Sequence, residues 1–114
     1  GWLPAGGYHY DRVGHLLTRH SSGLARTTLQ AELVPSLETV RGGRLLWLLV
    51  GDHARIQTKY SHRALQFALL EAGHLMQNLC LLTPTVPLGG FFERAIAREL
   101  CLPKTDRVLY AGLS

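Results

Sequence analysis

Lys59 and Tyr60 stand side by side after a short apolar run and just before the strongest helical pattern of the chain. An amine beside a phenol can hold and pass a proton. A loop that leaves a strand and enters a helix is a common place for such groups, because the flanking elements fix its ends. The residues alone also fit a surface lysine beside an aromatic that staples the helix. Gly89-Gly90 is the second feature. Two glycines let a backbone approach a planar ring and aim an N–H at it, and they also make ordinary turns. Glu71 and His74, on the polar side of the same helical stretch, read either as an acid–base pair or as solvated side chains.

Other constellations are missing from the sequence. Six histidines occur (His9, His15, His20, His53, His62 and His74), and none stands at a familiar metal-ligand spacing from another donor. Ser21-Ser22 lacks the context of a nucleophile elbow. No Gly-x-Gly-x-x-Gly and no P-loop is present.

The elements that must position these residues follow from periodicity. Gly1 to Gly7 reads as a loop. Tyr8-His9-Tyr10, a turn over Asp11 to Gly14, and His15 to Arg19 predict a β-hairpin, broken at Ser21-Ser22-Gly23. Leu24 to Val34 has a near-helical period that ends at Pro35, and Arg41-Gly42-Gly43-Arg44 is a turn. Leu45 to Val50 is continuous apolar sequence flanked by glycines, which predicts a strand buried on both faces. Gly51 to Thr58 reads as a polar connection.

Apolar side chains at Leu65, Ala68, Leu69, Ala72, Leu75, Met76, Leu79 and Leu82 then give one helical face, with Ser61 as N-cap and Pro84 and Pro87 as stops. Gly73 inside this helix suggests either plain helix packing or close approach of a backbone or flat ligand. Pro87 to Phe91 is a tight loop. Phe92 to Leu100 predicts a short helix with Phe92, Ile96 and Leu100 on one side, and Val108 to Ala111 a closing strand. The order β-β-α-β-α-α-β indicates a single α+β domain over 1–114.

With 114 residues the chain can bury a modest core, and its low charged fraction suits a subunit that covers surface against a partner. The formal charge of +4 is spread over single arginines, without the basic stripe of a nucleic-acid binder. It suits an anionic cofactor or peptide equally well. Cys80 and Cys101 sit in apolar surroundings and read as buried free thiols, which points to a reducing, cytoplasmic setting. No apolar run is long enough to span a bilayer, so no membrane segment is expected.

Five stretches, in order, resemble the SagB/ThcOx-type dehydrogenases of the nitroreductase superfamily. Leu3-Pro4-Ala5-Gly6-Gly7-Tyr8-His9-Tyr10-Asp11 is similar to that family's Leu-Pro-Ala-Gly-Leu-Tyr-His-Tyr-Asp segment. Lys59-Tyr60-Ser61-His62-Arg63 resembles its Lys-Tyr signature. The run from Ala68 to Leu79 (Ala-Leu-Leu-Glu-Ala-Gly-His-Leu-Met-Gln-Asn-Leu) is similar to its most specific stretch. Leu88-Gly89-Gly90-Phe91 resembles its Ile-Gly-Gly-Phe loop, and Val108-Leu109-Tyr110-Ala111-Gly112 its final strand.

The resemblance implies the second half of an FMN-dependent nitroreductase-like fold, with a mixed sheet packed by helices and flavin at a subunit interface. It implies oxidation of thiazoline or oxazoline rings in a peptide substrate. Lys59 and Tyr60 would be the catalytic pair, and Gly89 and Gly90 would lie against the cofactor. The family's phosphate-binding arginines and Ser-Ala-Gly-Gly loop belong to its first half, so a second subunit is expected to supply them within an oligomer. The chain departs from the pattern in the short connection Leu82 to Pro87. A non-catalytic scaffold or substrate-binding subunit is the competing reading. A third is a flavin oxidase of a cyclic dipeptide, a nonribosomal peptide intermediate or a nitro compound.

Overall fold

The computed structural model describes residues 3–21 and 45–114. The helix expected over Leu24 to Val34 and the turn at Arg41 to Arg44 lie outside the described residues.

Alternating aromatics and a tight turn build the first unit. β1 (Gly7–Asp11) and β2 (Leu16–Ser21) form a two-stranded antiparallel hairpin. Asp11 closes its turn by accepting from the backbone N–H groups of Val13 and Gly14 at 3.0 and 3.3 Å. Tyr10 and His15 join across it, Oη to Nδ1 at 2.7 Å. The predicted hairpin is thus present.

The second sheet holds β3 (Leu46–Asp52), β4 (Val86–Leu88) and β5 (Asp106–Leu113) in the order β3-β5-β4. Both pairings are antiparallel. Every strand pair among the described residues is therefore antiparallel, where the resemblance implies a mixed sheet. The coarser class, α+β, stands. β5 is central and carries the core. A bulge opposite Leu49 and Val50 inserts Leu109 into β5. That extra residue resets the alternation, so Val108 shares a face with Ala111 and Leu113. These three side chains, with Leu88 and the fully buried Ile96, form the hydrophobic core. Ile96 comes from α3 (Glu93–Glu99), which covers this face of the sheet.

The opposite face of β5 carries Gly112 and receives the long helix. α1 (His53–Tyr60) follows β3 directly, a 3-10 turn (Ser61–Arg63) redirects the chain, and α2 (Ala64–Leu82) runs back along the sheet. Its buried stripe is Ala64, Ala68, Ala72 and Met76. Small residues let helix and sheet approach closely: a Cβ on Gly112 would fall 2.8 Å from Met76 Sδ.

Four expectations change here. β3 is half-buried rather than buried on both faces, because among the described residues it pairs only with β5, and Val50 is 41% exposed. Gly51 to Thr58 is the end of β3 plus most of α1, capped by Asp52, whose Oδ1 accepts from Arg55 N–H at 3.1 Å. Ser61 is not the N-cap of the long helix. It terminates α1, and Arg63 precedes α2 without a side-chain cap. Finally, Leu69, Leu75 and Leu82 of the predicted apolar face are exposed.

Candidate functional site

β3 and β4 both run antiparallel to β5, so they point the same way and leave the sheet at one end. The Lys59-Tyr60 segment and the Gly89-Gly90 loop therefore follow the same edge. They do not leave at the same height. β3 pairs as far as Asp106, whereas β4 stops opposite Ala111. Five positions along β5 separate these levels, about 16 Å at strand rise.

Lys59 and Tyr60 are the last residues of α1. Lys59 is exposed, and its Nζ lies 5.1 Å from the centroid of the Tyr60 ring. Tyr60 is half-buried and stacks on Phe67 of α2 with 4.7 Å between ring centroids and a 34° tilt. Arg63 also lies against Phe67, its guanidinium 5.1 Å from the ring centroid. The result is a series of cation, phenol, phenyl and cation at the junction of α1 and α2. Such contacts contribute about 0.5–1 kcal/mol each where exposed.

Immediately after this series the backbone is forced. Ser61 adopts φ 52° and ψ −129°, a region that side chains other than glycine rarely enter. Its N–H still donates to the Gln57 carbonyl, closing α1. Backbone strain of this kind costs of order 1–3 kcal/mol and clusters at functional sites. Sequence reading missed it because serine at a helix boundary signals an N-cap.

Gly89 and Gly90 are exposed. A Cβ on Gly89 would meet nothing within 4 Å, so a flat group has open access to this backbone. Just beyond lies an open groove of about 460 Å³ lined by Phe91, Phe92, Glu93, Arg94, Ala95 and Arg98. Sequence reading did not find it, since it depends on how Phe91 and Phe92 enter α3 and on which side of that helix faces solvent.

Glu93 is drawn into a bidentate pair with Arg107 of β5, at 2.8 and 3.1 Å. The hydrogen bond from Arg107 holds the Glu93 carboxyl below its ordinary range, against the opposing effect of burial, with charge attraction from Arg107 and Arg94 assisting. Arg107 is raised in turn, first by the bond to Glu93.

The other candidates disperse. Glu71 and His74 are both exposed, and no hydrogen bond joins them. A methyl group on Gly73 would meet nothing within 4 Å, so no part of the described chain approaches it closely. The close approach is at Gly112 instead. Cys80 is half-buried and Cys101 exposed, both as free thiols, where buried thiols are expected. Cys101 follows the end of α3 at φ 51°. Among the described residues no group of three side chains converges to hold a metal ion. No helix among them is long and apolar enough to cross a membrane.

Compared with protein-family models, curated proteins and solved structures, the chain matches none.

Proposed function

We propose that this chain is a subunit of an FMN-dependent oxidoreductase, an azoline dehydrogenase acting on a modified peptide, whose flavin site is completed by another chain. The observation that carries the reading is the strained Ser61 directly after Lys59-Tyr60. An amine and a stacked phenol beside a forced backbone are an arrangement a proton-handling site can use, since backbone strain clusters at functional sites. The sequence resemblance supplies the cofactor and the substrate class.

The residues fit part of a flavin site. Gly89 offers open backbone to a planar ring, with nothing within 4 Å of where a side chain would begin. Bound FMN would supply the two-electron redox chemistry, which the protein orients. In its deprotonated form, Lys59 Nζ or Tyr60 Oη would take the ring proton of the thiazoline or oxazoline, while the hydride equivalent leaves to the cofactor and the ring becomes aromatic. The Phe67 stack limits rotation of Tyr60, and the Arg63 guanidinium holds Phe67. A partner would cover the remaining sides and exclude water.

α2 supports the need for that partner. Leu70 faces away from its buried stripe, and Leu69, Leu75, Leu81 and Leu82 are also exposed. These leucines stand among exposed Gln66, Glu71, His74 and Gln77, and large apolar side chains clustered on a polar surface mark an interaction face. The same observation favours the second reading, a scaffold subunit that keeps the interface and lacks the chemistry.

Turnover of a thiazoline-containing peptide by the assembled protein separates the two. Lys59→Ala and Tyr60→Phe should each lower kcat by roughly 10²-fold or more while flavin content and assembly stay unchanged. Unchanged turnover in both variants leaves the scaffold reading.

A further inference from the structure

We propose that the groove formed by Phe91, Phe92 and the exposed side of α3 binds an extended peptide segment carrying a carboxylate beside a large apolar side chain. The inference does not depend on flavin.

The floor of the groove is apolar and fixed. Phe91 and Ala95 line it and pack against the hydrophobic core. Phe92 stands beside them, 55% exposed. Exposed phenylalanine next to a fixed apolar floor is a seat for a large side chain.

The rim is cationic. Arg94 and Arg98 are one helical turn apart on α3, so both guanidinium groups reach the same side. Among the described residues neither forms an ion pair or a side-chain hydrogen bond. Glu93 is the groove's one carboxylate, and Arg107 from β5 already holds both of its oxygens. Arg107 thus occupies the hydrogen-bonding oxygens of Glu93, and Arg94 senses that carboxylate only through charge attraction. Two arginines remain free to fork onto a carboxylate.

Together these features ask for an anion and an apolar group within a few ångströms of each other. Inorganic phosphate would satisfy the arginines and leave the phenylalanines in water. A single-stranded oligonucleotide would use both, yet it needs a cationic track longer than two arginines. An acidic peptide uses all of the groove at the length available, and the volume suits a short segment.

The test is fluorescence anisotropy of a fluorescein-labelled hexapeptide with aspartates flanking a phenylalanine, titrated with the full chain. Saturable, salt-weakened binding is expected. The double variant Arg94→Gln, Arg98→Gln should weaken it about tenfold or more, since two charge-assisted bonds are lost. Arg12→Gln, a charge change on the exposed hairpin, should shift it less than about twofold. Replacing the peptide's phenylalanine with glycine, or Phe92 with alanine, should also weaken binding. Phe92→Ala keeps the proposal testable if the arginine variant fails to fold. Absence of binding by the unaltered chain overturns the proposal. Equal affinity of the double arginine variant and the parent does so as well. A tighter response to inorganic phosphate or to a poly-thymidine oligonucleotide than to the peptide would assign the groove to those ligands and refute this one. Flavin content is read separately, so failure here leaves the oxidoreductase reading untouched.

Discussion

A methyl group on Gly112 would lie 2.8 Å from Met76 Sδ and 2.9 Å from Thr85 Cγ2. Met76 is flexible but almost fully buried. Thr85 cannot turn aside, because its hydroxyl is tied into a chain of bonds. Trp47 Nε1–H donates to Ser114 Oγ at 2.9 Å, Ser114 and Thr85 share 2.6 Å, Thr85 and Thr83 share 2.6 Å, and Thr83 donates to the Leu79 carbonyl at 3.1 Å. With a donor fixed at one end and an acceptor at the other, every hydroxyl in this relay points the same way. Gly112→Ala is therefore expected to destabilise the chain by about 1–3 kcal/mol, the usual cost of overpacking. Chemical denaturation would show it as a lower midpoint with an unchanged slope.

Gly73→Ala should do the opposite. Its added methyl meets open space, and alanine in a helix interior is favoured over glycine by about 0.5–1 kcal/mol. A raised midpoint for the isolated chain is the expected result. A lowered one would mean that something does pack against this part of α2.

Relief of strain at Ser61 gives a further prediction. Ser61→Gly removes a backbone cost of order 1–3 kcal/mol and adds about 0.5–1 kcal/mol of chain entropy to the unfolded state. The net expectation is a stabilisation of roughly 1 kcal/mol, read by thermal melting. Under the proposed function, turnover by the assembled protein should fall at the same time, since glycine loosens the link that holds Tyr60.

The Glu93–Arg107 pair makes stability depend on pH. The folded carboxyl is held below its ordinary value of 4.5. Its contribution is thus complete above that pH and is lost as the pH falls through the lowered folded value. Both side chains are about a third exposed or more, 33% and 40%, so the contribution is at most about 1 kcal/mol. Glu93→Gln should lower the denaturation midpoint slightly at neutral pH, and parent and variant should converge in acid. A difference that persists unchanged into strong acid would contradict the pairing.

Much of this architecture is legible in the residues. Alternating aromatics around Asp11 to Gly14 mark the hairpin, and the apolar run from Val108 marks β5. α2 is evident from its 3–4 spacing, yet its buried stripe is alanine and Met76 rather than leucine. Close packing onto Gly112 selects small side chains there, and hydropathy alone ranks leucine higher. β4 hides behind Pro84 and Pro87, because proline argues against a central strand. It is tolerated here since β4 pairs only with β5 among the described residues. α1 hides behind polar residues, although Asp52 is an available cap signal. Lys59 and Tyr60 can be named from sequence, but the Phe67 stack depends on how α1 meets α2 and has no signature in spacing.

The outward leucines of α2 test the partner. Leu70→Glu places a charge directly opposite the buried stripe, so the isolated chain should keep its stability within about 0.5 kcal/mol. Assembly should weaken about tenfold or more, the worth of one well-buried leucine. Analytical ultracentrifugation reads the change. Intact assembly with Leu70→Glu would show that this side of α2 stays in water.

The most direct measurement is the ratio of flavin to chain in the assembled protein purified with its partner, read from the fluorescence of FMN released on denaturation. A ratio near one flavin per completed site, with Lys59 and Tyr60 at the edge of the bound ring, is the predicted result. A pure, folded assembly that carries no flavin and takes up none when FMN is added would contradict the oxidoreductase account.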